Sequence, residues 1–352
     1  MTLQETIKNI KQIDEQSMNQ AKEHWNTIAK PLFSLGKLES AVIQIAGIKA
    51  NANFTLARKG LIIMCADNGV VVEGVTQTGQ EVTAIVSDNF SRGESSACIM
   101  AKVAGVKVFP VDIGIAVDVP SITRRDRKIA YGTRNMTEGP AMTREEAIRA
   151  IEVGIASVMD RKEEGYDILA AGEMGIGNTT TSSAIAAVLL EQPVEKVTGK
   201  GAGLTKDGLD RKIQAINKAI QVNHPCKEDP IDVLAKVGGF DIAGLVGVFL
   251  GGALYQIPIV IDGFICAVAA LVAARIEPKA RQYMMPSHVS KEPAGQMLLE
   301  ALELEPFITC DMCLGEGTGA IAVLPLLDMG LAVYHQMSSF SDIHIENYEV
   351  LQ

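Results

Sequence analysis

The stretch Ala170-Ala171-Gly172-Glu173-Met174-Gly175-Ile176-Gly177-Asn178-Thr179-Thr180-Thr181-Ser182-Ser183 constrains this chain more than any other. Residues 166–169 before it read as a short buried strand, and residues 184–190 after it read as an apolar helix. The piece between is therefore a strand-to-helix turn. Its glycines allow positive φ and let the backbone approach a ligand closely. The Asn-Thr-Thr-Thr run offers hydroxyls and caps where free helix amides point outward. Such a turn is a ready anion site, and phosphate is the usual anion. A well-capped βα turn with no ligand is the plainer alternative. The glycine spacing does not match the dinucleotide fingerprint, and no Gly-Lys-Ser/Thr follows as in a P-loop.

The same strand–helix alternation runs along the chain. Apolar strand signals occur at 61–66, 106–111, 257–261 and 281–285, with an extended run at 307–313. Helical patterns occur at 38–50, 81–90, 95–104, 143–162, 206–222, 242–254, 266–274 and 294–302, and again from 320. Thr143 and Glu146 form a capping box. Residues 1–35 carry helical spacing through Ile7, Ile10, Ile13, Trp25 and Ile28, and 338–352 read as a polar tail. The expected fold is α/β, a parallel sheet with helices on both faces. Ligands of such sheets bind outside the carboxyl ends of the strands. The residues expected there are Asp67, Asp112, Glu173, Asp262 and Ser287, joined by Glu316.

A formal net charge of −10 disfavours nucleic acid and anionic membrane as partners. Phosphate binding by backbone amides needs no net positive charge. Residues 242–276 are almost all apolar, but Gln256, Pro258, Asp262 and Gly263 cut the run, so it reads as helix, strand and helix rather than a membrane span. The basic run Arg124, Arg125, Arg127 and Lys128 reads as a solvated loop. The polar start of the chain shows no targeting segment, and six cysteines, scattered mostly among apolar neighbours, read as reduced and buried, so a cytoplasmic location is expected.

Some side chains carry chemistry by their placement. Glu316 lies in Gly315-Glu316-Gly317-Thr318-Gly319, where glycines leave it free to project into a cleft and take a proton. An exposed glutamate in a flexible turn fits the same spacing. Glu173 could orient a ligand, or simply favour the start of a helix. Arg211 and Lys212 follow a second glycine-rich loop at 199–204 and could reach a phosphate, or be solvated surface. Cys310 and Cys313 have redox spacing on an extended segment, where packing is the better reading. The five histidines are too dispersed to form a metal cluster.

Four segments in order carry a resemblance. They are the 172–183 turn, Gly201-Ala202-Gly203-Leu204 with Lys212, Ser287-His288-Val289-Ser290-Lys291-Glu292-Pro293, and Leu314 to Ala320. Together they resemble the nicotinate-nucleotide–dimethylbenzimidazole phosphoribosyltransferase family over nearly the whole chain. The resemblance implies a Rossmann-like sheet domain, 41–319, and a small helical domain built from both termini, 1–40 and about 320–352. It implies a dimer, either a homodimer or a heterodimer with a homologous subunit, and no cofactor or metal. The implied reaction moves phosphoribose from nicotinate mononucleotide to a benzimidazole or phenolic base, inverting the anomeric carbon, for cobamide synthesis. Glu316 would be the general base, and Glu173 would face the site. Gly175, Gly177, Asn178, Thr179, Thr180, Gly201, Gly203, Lys212 and Ser290 would hold the donor and its phosphate. Gln80, Asn68 and Leu314 would meet the acceptor. The family commonly has Asp-His-Gly and Pro-Gln-Glu-Val-Thr where this chain has Asp67-Asn68-Gly69 and Gly79-Gln80-Glu81-Val82-Thr83. Those departures bring phenolic acceptors into view. A non-catalytic partner subunit and a nucleotide-binding regulatory protein are the alternative readings.

Overall fold

The computed structural model describes residues 2–201 and 203–349. The chain opens with α1 (Leu3–Asn9), α2 (Glu15–Thr27) and α3 (Lys37–Lys49). Then come β1 (Lys59–Ala66), α4 (Glu81–Arg92), α5 (Ser96–Ala104), β2 (Val106–Gly114) and α6 (Arg144–Glu163). The middle holds β3 (Ile168–Met174), α7 (Asn178–Leu189), α8 (Val194–Val197), α9 (Lys206–Asn223), α10 (Pro230–Val237) and α11 (Phe240–Tyr255). The chain continues with β4 (Ile259–Ile261), α12 (Phe264–Ile276), β5 (Met284–Pro286), α13 (Gly295–Ala301) and α14 (Thr318–Gln336).

The five strands form one parallel sheet in the order β2-β1-β3-β4-β5. Successive side chains on a strand point to opposite faces, and both faces are covered. Leu61, Ile63 and Cys65 of β1 join α2, α3, α5 and α14 in one core. Ile62, Met64 and Ala66 join α6, α7, α11 and α12 in the other. This explains why β1 and β3 are continuous apolar runs with no alternation. The order reverses between β1 and β3, which opens a crevice at their carboxyl ends.

The apolar block is interior. α11 and α12 are buried along nearly all their length. α14 is long and apolar enough to cross a membrane, yet Ala320, Ile321, Leu324 and Leu327 are buried in the same core as Leu61 and Ile63. α6 and α11 cross at glycines. A Cβ at Gly247 would lie 1.9 Å from the Ile151 carbonyl, and one at Gly154 2.0 Å from the Gly244 carbonyl. Gly247→Ala must push the helices apart and is expected to cost roughly 2–3 kcal/mol. A urea midpoint that does not move would disprove this close crossing.

Several boundaries differ from the sequence reading. β3 runs on to Met174, so Glu173 ends a strand rather than opening a turn. Pairing of Glu173 with Met64 of β1 extends it. The Asn-Thr-Thr-Thr run is the first turn of α7, not its cap. Gly177, at φ +95, is the cap position and gives no side-chain bond. The hydroxyls turn inward, Thr181 to the Asn178 carbonyl and Ser183 to the Thr179 carbonyl. Residues 278–283 form a 3-10 turn, so the strand expected at 281–285 shrinks to β5. The run 307–313 is not a strand. Ile308 bridges His288, the Phe307 and Ile308 amides both reach the Ser287 carbonyl, and the chain then leaves the sheet. Cys226, Cys310 and Cys313 are exposed, against the expectation of packing, while Cys65, Cys98 and Cys266 are buried. The tail is docked at Phe340, which is buried and donates its amide to the Thr27 carbonyl. In the basic loop, Lys128 lies 3.1 Å from Asp112, and Arg127 lies 2.9 Å from Asp160, so these charges are paired rather than merely solvated.

Candidate active site

The carboxyl ends of β3 and β4, the segment after β5 and the loop before α14 enclose a cleft of about 230 Å³. Glu173 comes from β3. Its Oε2 accepts from the Asn178 side chain, at the start of α7. A Cβ at position 315 would sit 2.5 Å from Glu173 Oε1, so a glycine there lets the two segments meet. Burial pushes the Glu173 carboxyl up to about 8, with the negative charges of Asp241, Asp262 and Glu316 adding to it and Asn178 opposing.

Glu316 faces Glu173 from the other wall. It has φ +61, between Gly315 at +87 and Gly317 at +84. A left-handed conformation is costly for a non-glycine and marks a functional constraint. Gly317 must be bare, because a Cβ would meet Leu61 at 2.4 Å. Glu316 Oε2 is buried without a hydrogen-bond partner among the described residues. Burial raises its pKa, the Ala97 amide at the start of α5 opposes this, and Asp262 adds to it. A desolvated carboxylate with a free oxygen is what a general base needs.

Asp262 holds this loop in place. Its Oδ1 accepts from the Gly319 and Ala320 amides at 2.7 and 3.1 Å, and its Oδ2 from Gly317 at 3.0 Å. These are the otherwise unpaired amides at the start of α14. Burial raises the Asp262 pKa, with His288 opposing.

The opposite wall is the glycine–threonine turn. Gly175, Asn178 and Thr179 line the cleft together with Gly201 and Ser290. Lys212 lies behind them, fully buried, and donates to Thr179 Oγ1 at 2.9 Å and the Gly199 carbonyl at 3.0 Å. Burial pulls its pKa down to about 8, with Glu292 opposing. Among the described residues no carboxylate is hydrogen-bonded to it.

The structure thus brings Glu173, Glu316, Gly175, Asn178, Thr179, Gly201, Ser290 and Leu314 into one lining. Leu314 stands at the mouth, more than half exposed. The other candidates lie off it. Gly177 lines a neighbouring cavity of about 90 Å³ beside Thr179 and Lys200. Thr180 is buried, and its hydroxyl has no partner among the described residues. Gly203 is exposed, and its carbonyl accepts from Gln77. Asn68 is buried behind the turn, where a Cβ at Gly175 would lie 3.0 Å from its Nδ2. Gln80 donates to the Asn68 carbonyl at 3.2 Å. Ala202 lies outside the described residues. The sequence reading did not single out Asp241 or the apolar lining from Met174, Ile176, Phe264 and Ile265. A lone acid at the head of an apolar helix was the available signal for Asp241. Among the described residues no group of three or more His, Cys, Asp and Glu could hold a metal ion.

A family model described as "Phosphoribosyltransferase" matches residues 10–345. The nicotinate-nucleotide–dimethylbenzimidazole phosphoribosyltransferase of Ruminiclostridium cellulolyticum is 47% identical over 352 residues, all of both chains. The protein of the same name from Clostridium acetobutylicum is 46% identical, again over all of both chains. The crystal structure of CobT from Thermus thermophilus superposes with a TM-score of 0.89 at 37% identity, covering 95% of this chain and 100% of that one.

Proposed function

Because the chain belongs to the nicotinate-nucleotide–dimethylbenzimidazole phosphoribosyltransferase family, we propose that the cleft transfers phosphoribose from nicotinate mononucleotide to a flat aromatic base in cobamide synthesis. The observation that carries this reading is the pairing of two raised carboxyls, Glu316 and Glu173, across a cleft whose other wall is a glycine–threonine turn backed by Lys212. The donor phosphate sits on that turn, where Thr179, Gly201 and Ser290 offer donors and Lys212 supplies charge. The donor ring is a cation and leaves neutral, so acidic walls favour both it and the positive charge that develops on the sugar. The acceptor must lose one proton, and Glu316 takes it. Met174, Ile176 and Phe264 give the ring apolar walls.

The chain acts as a glycosyltransferase in this reading, in the cytoplasm and as a dimer. Neither sequence departure lies on a cleft wall. Asn68 is behind the turn, and Gly79 is outside the lining. The test is to incubate the enzyme with nicotinate mononucleotide and dimethylbenzimidazole, p-cresol or phenol, and to weigh the products. The expected result is an α-ribotide phosphate with equimolar nicotinate. Absence of any ribotide with all three bases would reject the reading.

A further inference from the structure

Cys310 and Cys313 stand on the segment that leads to Glu316, and the transfer as read above gives them no part. Both are exposed free thiols, and Cys313 lines the cleft together with Leu314 and Glu316. The segment is loosely held. Ile308 bridges His288 at one end, and the Gly315 carbonyl accepts from the Thr318 amide at the other. Between them one backbone bond is made among the described residues, from the Lys291 amide to the Met312 carbonyl at 3.2 Å. Thr309, Cys310, Asp311, Cys313 and Leu314 are all exposed. Few buried contacts and few backbone bonds mark a segment that rearranges at low cost.

The chain is already turned between the two cysteines. Asp311 has φ +50. The second residue of a type I′ or II′ turn occupies this left-handed region, and aspartate tolerates it better than most side chains. A β-turn brings its first and fourth Cα atoms within about 7 Å, and a disulfide needs about 4.4–6.8 Å. With Cys310 first and Cys313 fourth, the conformation at Asp311 suits such a turn, and the loosely held Met312 peptide can complete it. Beyond Glu316 the chain is fixed, because Asp262 accepts the Gly317, Gly319 and Ala320 amides. Contraction between 310 and 313 therefore acts on Leu314, Gly315 and Glu316, which lie between the turn and that anchor.

We propose that Cys310 and Cys313 are a redox-sensitive dithiol: oxidation to a disulfide draws the loop in and moves Glu316 off the acceptor, and reduction restores it. The effect on turnover rests on the transfer reading above, while the bond itself does not. The oxidant is a small-molecule disulfide such as oxidised glutathione. One cysteine thiolate attacks it and releases one reduced glutathione, and the second cysteine then displaces the other from the mixed disulfide. Two protein thiols give up two electrons and two protons, and the small disulfide becomes two thiols. In a reducing compartment such a bond is transient, which suits a switch.

The test treats the wild-type protein with excess oxidised glutathione, removes the reagent, and maps the thiols by alkylation and trypsin digestion. From Glu292 onward the sequence has no Lys or Arg and no cysteine besides 310 and 313, so the bond reads as one peptide lighter by two hydrogens. Thiols titrated in the native protein are expected to fall from the three exposed ones to Cys226 alone. Turnover is expected to fall by about tenfold or more, since a base displaced by about 1 Å loses its working geometry. Affinity for nicotinate mononucleotide is expected to change less than about threefold, and dithiothreitol to restore kcat. Cys310→Ser is expected to keep wild-type kcat and to resist the treatment. Free thiols after treatment, a lasting glutathione adduct at either cysteine, or a 310–313 bond with unchanged kcat overturns the proposal. Thiol mapping needs no turnover. Failure of the untreated enzyme to make any ribotide would therefore reject the transfer reading, and the dithiol would still stand or fall on the mapped peptide.

Discussion

Glu316→Gln is expected to lower kcat by roughly 10²–10⁴ and to leave donor affinity within a few-fold of the wild-type value. The replacement keeps the shape and the hydrogen-bonding length of the side chain, so the cleft survives. What goes is the ability to take a proton. Glu316 suits that role because one oxygen is buried and unpartnered among the described residues, and because burial raises its pKa toward that of the leaving proton. Its backbone is fixed at φ +61 between two left-handed glycines, and Asp262 anchors the amides that follow. The carboxylate is therefore held in place before the acceptor arrives. The acceptor comes in as N–H or O–H, and only proton loss makes it a nucleophile. In the proposed reading the donor's phosphate and ring meet the other wall, which the substitution does not touch. Near-normal turnover by a folded Glu316→Gln enzyme would remove this residue from the chemistry and move the base role to Glu173. Stability is expected to change little, and in one direction. A carboxyl whose folded pKa is raised costs stability once pH exceeds its unfolded pKa, so the glutamine variant gains slightly as pH rises above that value.

Lys212→Met separates function from stability. Donor kcat/KM is expected to fall by about 10²-fold or more if, as proposed, this buried ammonium supplies the charge behind the phosphate, because such a desolvated contact is strong. Thermal stability is expected to rise at neutral pH, since methionine fills the same channel without a charge. The direction follows from the pKa. Lys212 is depressed to about 8 from 10.5, so the folded protein holds its proton less tightly than the unfolded chain does. The cost of burying the ammonium is fully present below about 8 and fades as pH approaches 10.5. Its size is on the order of 2 kcal/mol, after allowing for lost bonds to Thr179 and Gly199. Melting curves at neutral and alkaline pH should therefore show a gain for the variant that shrinks as pH rises. Phosphate in the wild-type protein should give a similar gain by occupying the site. A variant that melts lower than wild type while binding donor normally would show that Lys212 is a structural strut.

Much of the architecture was legible because parallel α/β sheets write themselves into sequence. Continuous apolar runs such as 61–66, each followed by a helical pattern, leave little room for another class. The capping box of Thr143 and Glu146 formed as read. Glycine-flanked Glu316 was legible as a free carboxylate for a local reason, since its neighbours have no side chains. Segments with weak local signals went astray where tertiary contacts decide. Residues 307–313 have strand composition, but β5 is three residues long and offers them a single bridge at His288. The Asn-Thr-Thr-Thr run looked like a cap, but Asn178 turns its amide to Glu173 instead.

The sequence by itself determined the alternation of strand and helix and which acids fall near strand ends, while of the glycines in the 172–183 turn only Gly177 takes positive φ. These depend on residues within a few positions of one another. Only the tertiary structure decided that Glu173, Asp241, Asp262 and Glu316 share one buried region, because they come from β3, α11, the end of β4 and the loop before α14. Their perturbed titration is a property of that convergence, and desolvation has no signature in local sequence. Likewise Lys212 could be read as surface or ligand from its helix, and only the fold buried it, against Thr179 and Gly199, without a bonded counter-charge among the described residues. Asn68 and Gln80 stand next to the turn in the fold, yet the path of the chain placed them behind it rather than on the cleft wall.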